Sequence, residues 1–128
     1  MEKLTNKEWA KQILEQLRFL SNKEALIESW IKGTGVYSAG FDEEICVLFD
    51  SYNFEDSFLP IVETLAISDE FKSKLKVLIK AINDFESDGK SHEQIIQDPK
   101  WEMCMSIMKE VIILFEREQD CFTNAPCY

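Results

Sequence analysis

The feature that most constrains the fold is the apolar pattern of residues 98–115, DPKWEMCMSIMKEVIILF. Large apolar side chains recur there at intervals of three and four, as they do on one face of an α-helix. The stripe consists of Trp101, Cys104, Met105, Ile107, Met108, Val111, Ile112, Leu114 and Phe115. A stripe this wide is typical of a helix that is buried on several sides. The pattern therefore predicts a central helix around which the rest of the chain packs.

Capping signals mark where other helices begin. Three stretches have the S/T-x-x-E/Q form of a capping box, and two further positions place a capping residue before an apolar helical pattern. These signals are Thr5–Glu8, Ser21–Glu24, Ser91–Gln94, Asp98–Pro99, and Ser68 or Asp69. With only four Gly and three Pro in 128 residues, the chain has few turn signals for a many-stranded sheet. We predict an all-α, compact single-domain bundle of about five to seven helices over residues 1–120, with a flexible C-terminal tail at 121–128.

Most of the negative charge falls within one part of the chain. Residues 42–58, DEEICVLFDSYNFEDSF, hold six acids and no base, and residues 33–71 hold nine acids and no Lys or Arg. This segment therefore accounts for −9 of the net charge of −10. Such a field repels nucleic acid and anionic lipid and attracts basic protein surfaces. The alternative is an acidic face that only keeps the protein soluble.

The acidic segment also has a helical apolar pattern. Ile45, Leu48, Phe49 and Tyr52 follow an i, i+3, i+4, i+7 spacing, and the acids at 42–44 suit the start of a helix. Continued in one register, this helix turns Glu43, Val47, Asp50 and Phe54 outward. A shorter helix is expected to follow from Phe58 to Ile67, with Pro60 in its first turn.

Residues for catalysis or metal binding are few. The single histidine, His92, has no partner at ligand spacing and is expected to be a surface or capping residue. Cys46 and Cys104 fall in apolar patterns and are predicted to be small core residues. For the methionines at 103, 105 and 108 the alternatives are core filling and the lining of a ligand pocket, and we predict core filling. The acids at the predicted helix start are expected to be solvated. We expect a protein that is not an enzyme and that has no cofactor and no metal. An absent signal peptide and the lack of a long apolar run predict a cytoplasmic location.

The acids lie among aromatic side chains, and aromatic anchors inside a charged frame are typical of protein interfaces. A face that only aids solubility does not need these aromatics. The predicted partner-binding residues are Asp42, Glu43, Asp50, Tyr52, Phe54, Glu55, Asp56, Phe58, Glu63, Asp69 and Glu70. The expected partner is a protein, not nucleic acid or a membrane.

Three stretches resemble a family of small, uncharacterised helical proteins of bacteria. They are LRFLSNKEALIESWIKGTG at 17–35, FDEEICVLFDS at 41–51 and DPKWEMCMSIMKEVI at 98–112. The resemblance covers roughly residues 10–115 and contains no catalytic signature. It implies a helical fold.

A looser resemblance concerns function. A small, acidic, single-domain chain without catalytic residues is similar to the immunity proteins of contact-dependent growth inhibition and related toxin systems. That resemblance implies an antitoxin, a monomer before binding, that covers the active site of a basic toxin domain such as a nuclease. The alternative is a non-enzymatic intracellular adaptor or regulatory protein that uses the same acidic surface.

Overall fold

The structure, a computed structural model, describes residues 6–31, 41–65 and 67–118. Helices account for most of these residues, and no strand occurs among them. In chain order the helices are α1 (Asn6–Leu20), α2 (Lys23–Leu26), α3 (Phe41–Cys46), α4 (Leu59–Thr64), α5 (Asp69–Asp84), α6 (His92–Gln97) and α7 (Pro99–Glu118). The prediction of an all-α single domain is confirmed.

Helix α7 lies at the centre of the bundle, as its apolar stripe predicts. It packs against α5, α1 and α6. Trp101 and Met108 are completely buried, and Phe115 is 1% exposed. Met103, by contrast, is 61% exposed, so the prediction that it fills the core is wrong. The outer face of α7 therefore presents a large apolar side chain to solvent.

The helix starts agree largely with the capping signals. The Ser68 hydroxyl accepts a hydrogen bond from the Phe71 N–H (3.2 Å), and Ser91 and Gln94 form a complete capping box at the start of α6. At α2 the cap is Asn22, whose side chain accepts from the Ala25 N–H, and not Ser21, which is buried. The predicted box at Thr5 and the predicted tail at 121–128 lie outside the described residues.

Within the described residues, three π-helical turns interrupt the regular helices. Ile27–Ile31 continues α2, Val47–Ser51 continues α3, and Phe54–Phe58 leads into α4. Between the last two turns Asn53 has a left-handed backbone (φ 48°, ψ 49°), a conformation that few residues other than Gly and Asn adopt readily. The chain is redirected at Asn53, so the helix that ends at residue 51 and the one that starts at residue 54 do not share a register.

This change of direction overturns part of the sequence-based prediction. Phe54 is completely buried and Phe58 is 1% exposed, so neither points outward as a surface anchor. The second helical segment begins at Phe54 rather than Phe58, and α4 ends at Thr64 rather than Ile67. Phe54, Phe58 and Val62, spaced by four residues, all face the core.

None of the helices within the described ranges combines the length and apolar character needed to cross a membrane.

Candidate functional site

Helix α3 and its π-helical extension present three carboxylates to solvent. Phe41 and Leu48 are buried against the rest of the bundle, whereas Asp42, Glu43 and Asp50 are exposed. The outward orientation predicted for Glu43 and Asp50 is therefore confirmed. We call Asp42, Glu43 and Asp50, together with Glu55 and Asp56, the acidic face.

Cys46 lies within the acidic face. Its thiol is exposed, so the prediction of a core cysteine at this position is wrong. The pKa of this thiol is raised above 9.0 by desolvation, then by the charge of Asp50 and a hydrogen bond to it, and finally by the charges of Asp42 and Glu43. A negative field opposes the formation of a thiolate, which is the reactive form of cysteine. The surroundings of Cys46 therefore do not activate it as a nucleophile.

Cys104 is equally unsuited to nucleophilic chemistry, for a different reason. It is 1% exposed in α7, and burial raises the pKa of its thiol to about 11. The prediction of a core position is confirmed for this cysteine.

Glu44 differs from its two acidic neighbours because it faces inward. Its side chain is 7% exposed, which contradicts the expectation that all the acids at the start of α3 are solvated. The Gln16 side-chain amide donates to the Glu44 carboxylate (2.8 Å) and to the Glu44 backbone carbonyl (3.0 Å). A buried carboxylate needs such donors, so Glu44 ties α3 to α1. It does not belong to the exposed surface.

Glu55 and Asp56 extend the acidic face beyond Asn53. Both carboxylates are exposed, and the Asn83 side chain donates to Glu55 over 3.1 Å. The aromatic residues on either side of them, Phe54 and Phe58, are buried and cannot contact a partner without unfolding. Phe54 and Phe58 are therefore not part of the candidate site.

Tyr52 is the aromatic residue of the predicted site that keeps partial exposure. It is half-buried against the core, and its backbone carbonyl accepts a 2.6 Å hydrogen bond from the Trp9 indole. This bond fixes the backbone at the point where the chain is about to turn at Asn53. Tyr52 therefore stays in the candidate site, with a half-buried side chain on a backbone that this bond holds in place.

The other predicted acids, Glu63, Asp69 and Glu70, are exposed but have cationic neighbours on α5. Lys76 lies 3.4 Å from the Glu63 carboxylate, and Lys72 donates to the Glu63 carbonyl. Lys72 follows Asp69 by three residues and Lys74 follows Glu70 by four, so each cation lies about one helical turn from an acid. Bases from α5 thus offset part of the charge that the segment carries, and the strongest negative field lies over residues 42–56.

A cleft of about 240 Å³ opens beside the start of α3. It is lined by Phe41, Asp42, Glu43, Ser87, Lys90, His92 and Ile95. The Lys90 ammonium lies 2.9 Å from the Asp98 carboxylate, and that hydrogen bond, with one from the Lys100 N–H, lowers the pKa of Asp98 below 3.8. Much of the charge of Lys90 is thereby balanced, so the exposed carboxylates of Asp42 and Glu43 dominate the charge of the described lining of this cleft.

His92 belongs to this cleft and is half-buried, not the surface or capping residue that the sequence suggested. Its Nδ1 lies 3.1 Å from the Trp30 carbonyl oxygen, and its ring lies against the Trp30 indole. Because a carbonyl oxygen only accepts, Nδ1 carries the proton in this contact. The residues around His92 do not predict this contact, because Trp30 lies 62 residues away in the chain.

No group of three or more His, Cys, Asp or Glu side chains that could hold a metal ion occurs in the described parts of the chain. The arrangement is suited to electrostatic recognition of a positively charged surface, with the mixed cleft at its edge.

Comparison with protein-family models, with curated proteins and with solved structures finds no match to this chain.

Proposed function

We propose that this protein is an immunity protein that binds a basic toxin domain, such as a nuclease, through the acidic face and so neutralises it. The observation that supports this function most is the exposure of all five carboxylates of that face. They lie on one stretch of chain that lacks any Lys or Arg. In this role the protein works in the cytoplasm, without catalysis and without a cofactor.

The field of the acidic face steers a basic partner toward it. Opposite fields raise association rates to about 10⁸–10⁹ M⁻¹s⁻¹ at low salt, compared with about 10⁵–10⁶ M⁻¹s⁻¹ without steering. Rapid capture suits an inhibitor that must act before a toxin does. Carboxylates spaced along a helix also resemble the phosphates that a nuclease binds.

Affinity must come from a few side chains that lose water on binding, because exposed charge pairs contribute only about 0–1 kcal/mol each. With Phe54 and Phe58 in the core, the available anchors are Tyr52 and the cleft beside Asp42 and Glu43. A Lys or Arg side chain of the toxin would enter this cleft and pair with the two carboxylates. An Arg is favoured there because its planar guanidinium can bind a carboxylate with two hydrogen bonds.

The test uses reversal of the charge on α3. The triple variant Asp42→Lys, Glu43→Lys, Asp50→Lys should lose protection when it is co-expressed with candidate toxin domains from the same genome. The matched control reverses three exposed acids outside the acidic face, Glu15, Glu24 and Glu93, and gives the same net charge. It should protect nearly as well as the parent.

Binding kinetics refine the result. The triple reversal should mainly slow association, and the difference from the parent should shrink as salt rises, because the Debye length falls to about 10 Å at 0.1 M. If the triple variant protects cells as fully as the parent, the acidic face is only a solvated surface and the proposal fails.

A further inference from the structure

The cleft beside the start of α3 contains a hydrogen-bond acceptor that is not a carboxylate. His92 lines the cleft, and Nδ1 of its ring donates to the Trp30 carbonyl oxygen over 3.1 Å. In a neutral imidazole only one ring nitrogen carries a proton, so Nε2 keeps its lone pair. Because Nδ1 is engaged by Trp30, Nε2 is the nitrogen through which His92 can bind a group in the cleft.

Lys90 also lines the cleft, but its ammonium group is bonded elsewhere. It donates to the Glu86 carbonyl over 2.8 Å and to the Asp98 carboxylate over 2.9 Å. It also lies 5.0 Å from the centre of the Phe85 ring. None of these three partners belongs to the described lining of the cleft. Lys90 therefore contributes mainly its alkyl stem to the wall.

The polar groups that remain for a ligand are acceptors. Asp42 and Glu43 supply exposed carboxylates, His92 supplies Nε2, and the hydroxyl of Ser87 can accept as well as donate. A ligand that matches them carries a positive charge and several N–H donors. The guanidinium of arginine has five such donors in one plane, whereas the ammonium of lysine is a compact charge with three.

The size of the cleft limits the ligand. Its volume of about 240 Å³ is below the roughly 300–1,000 Å³ of sites that hold drug-sized molecules. Phe41 and Ile95, which are both buried, form its apolar part. A single side chain with an alkyl stem and a polar end group suits such a space better than a larger ligand does.

We propose that His92 makes this cleft selective for arginine over lysine, because its Nε2 accepts a hydrogen bond from a guanidinium that the carboxylates of Asp42 and Glu43 attract. The inference rests on the proposed function, in which the guanidinium belongs to the toxin. The acceptors lie on two elements, with the carboxylates on α3 and His92 on α6. A guanidinium presents donors along different edges and can bind both elements at once, whereas a lysine ammonium supplies mainly charge.

The test compares two probes that differ only in their side chains, N-acetyl-L-argininamide and N-acetyl-L-lysinamide. Their blocked backbones leave the side chain as the sole cation. Titration of the full chain with each probe is followed by NMR at pH 8, so that imidazole is neutral. The parent should bind the arginine probe at least about fivefold more tightly, because a hydrogen bond to a charged group adds to the attraction. No saturable binding of this probe, or equal binding of the two, overturns the proposal.

His92→Phe keeps a ring but removes Nε2, and it should reduce the ratio of the two dissociation constants to below about twofold. A ring that only supports the fold changes the binding of both probes together, so the ratio separates the two roles. Asp42→Asn and Glu43→Gln should instead weaken the binding of both probes. Glu93→Gln is the matched control, since Glu93 is exposed next to His92 but is not in the described lining. It should leave the ratio as in the parent, whereas a parental ratio in His92→Phe refutes the role of Nε2.

The parent alone decides the question if His92→Phe does not fold. His92 is the single histidine of the chain, so its ring resonances are identified without further assignment. The ¹⁵N resonance of Nε2 should shift on addition of the arginine probe and much less with the lysine probe. Equal shifts with the two probes contradict the proposal.

Neither experiment uses a toxin, so the two proposals can fail separately. Absent selectivity, combined with loss of protection in the triple reversal of Asp42, Glu43 and Asp50, refutes the role of His92 alone. Selective binding of the arginine probe, combined with full protection by the triple variant, refutes the antitoxin function alone.

Discussion

Replacing Phe58 with Ala tests whether the acidic segment folds as described. The Phe58 ring packs between the rings of Trp9 (5.4 Å between centroids), Phe54 (6.1 Å) and Phe115 (6.0 Å), and 1% of the residue is exposed. Truncating a buried Phe to Ala costs about 3–5 kcal/mol, since the lost burial and the remaining cavity both destabilise the fold. A domain of this size is stable by only about 5–15 kcal/mol, so the loss is large.

Urea denaturation, followed by circular dichroism, measures the effect. With a slope of about 1.5 kcal/mol per M, a loss of about 4 kcal/mol lowers the midpoint by roughly 2–3 M. Phe58→Leu keeps most of the apolar volume and should cost less, about 1.5 kcal/mol. This milder variant keeps the test valid if Phe58→Ala does not fold.

Asp56→Ala is the control, because Asp56 is exposed only two residues away. It should change stability by no more than about 0.5 kcal/mol. If Phe58→Ala unfolds at nearly the same urea concentration as this control, Phe58 lies on the surface, and the placement of this segment in the core is wrong.

Three further predictions concern titratable and buried polar groups. Asp50→Asn should speed alkylation of Cys46 by iodoacetamide at neutral pH, measured by peptide mass spectrometry, because it removes a negative charge that raises the pKa of the thiol; an unchanged rate would contradict this. Because the pKa of Asp98 is lower in the folded protein than in the unfolded chain, ionised Asp98 stabilises the fold at pH values above 3.8. This contribution is lost as the pH falls from 3.8 toward the pKa of the folded state, because the unfolded chain binds the proton first. Thermal melts of Asp98→Asn should therefore show a weaker loss of stability in acid than the parent, and parallel curves would refute the assignment. Gln16→Ala should cost about 1–3 kcal/mol in urea denaturation, because the buried carboxylate of Glu44 loses its donor; a loss no larger than that of an exposed substitution would contradict the contact.

Local signals in the sequence predicted much of the fold. The side chains of Ser68 and Ser91 each accept a hydrogen bond from a backbone N–H three residues later. Both caps can therefore be predicted from a short stretch of sequence. The wide stripe of α7 predicted its central position, since so many apolar side chains need cover on several sides. The helix caps and the apolar stripe depend on residues that are close in sequence, so they can be predicted without knowledge of the tertiary structure.

The prediction of the candidate site failed where one helical register was extended too far. Carrying the α3 pattern past Tyr52 turned Phe54 outward, whereas a π-helical turn and the left-handed Asn53 reset the direction of the chain. A signal for this was present. Asn is one of the few residues that end a helix in a left-handed conformation, and Phe54, Phe58 and Val62 repeat at a spacing of four.

Other features of the site depend on contacts between distant segments. Neither the pairing of Lys76 with Glu63 nor the bond between His92 and Trp30 can be inferred from local patterns. The exposure of Met103, by contrast, agrees with the apolar stripe of α7, which does not include Met103 and whose members are all buried or half-buried.

The acidic segment also concentrates features that do not favour folding. Two of the three π-helical turns and the left-handed Asn53 fall within residues 47–58, beside carboxylates that repel one another. Elsewhere the described helices place opposite charges together, as in the pair of Lys74 and Glu110 and the pair of Arg18 and Glu116. Departures from locally favourable structure are expected where a protein retains residues for function rather than for stability. The concentration of like charges and of irregular backbone in residues 42–56 supports the proposal that this part of the chain binds a partner.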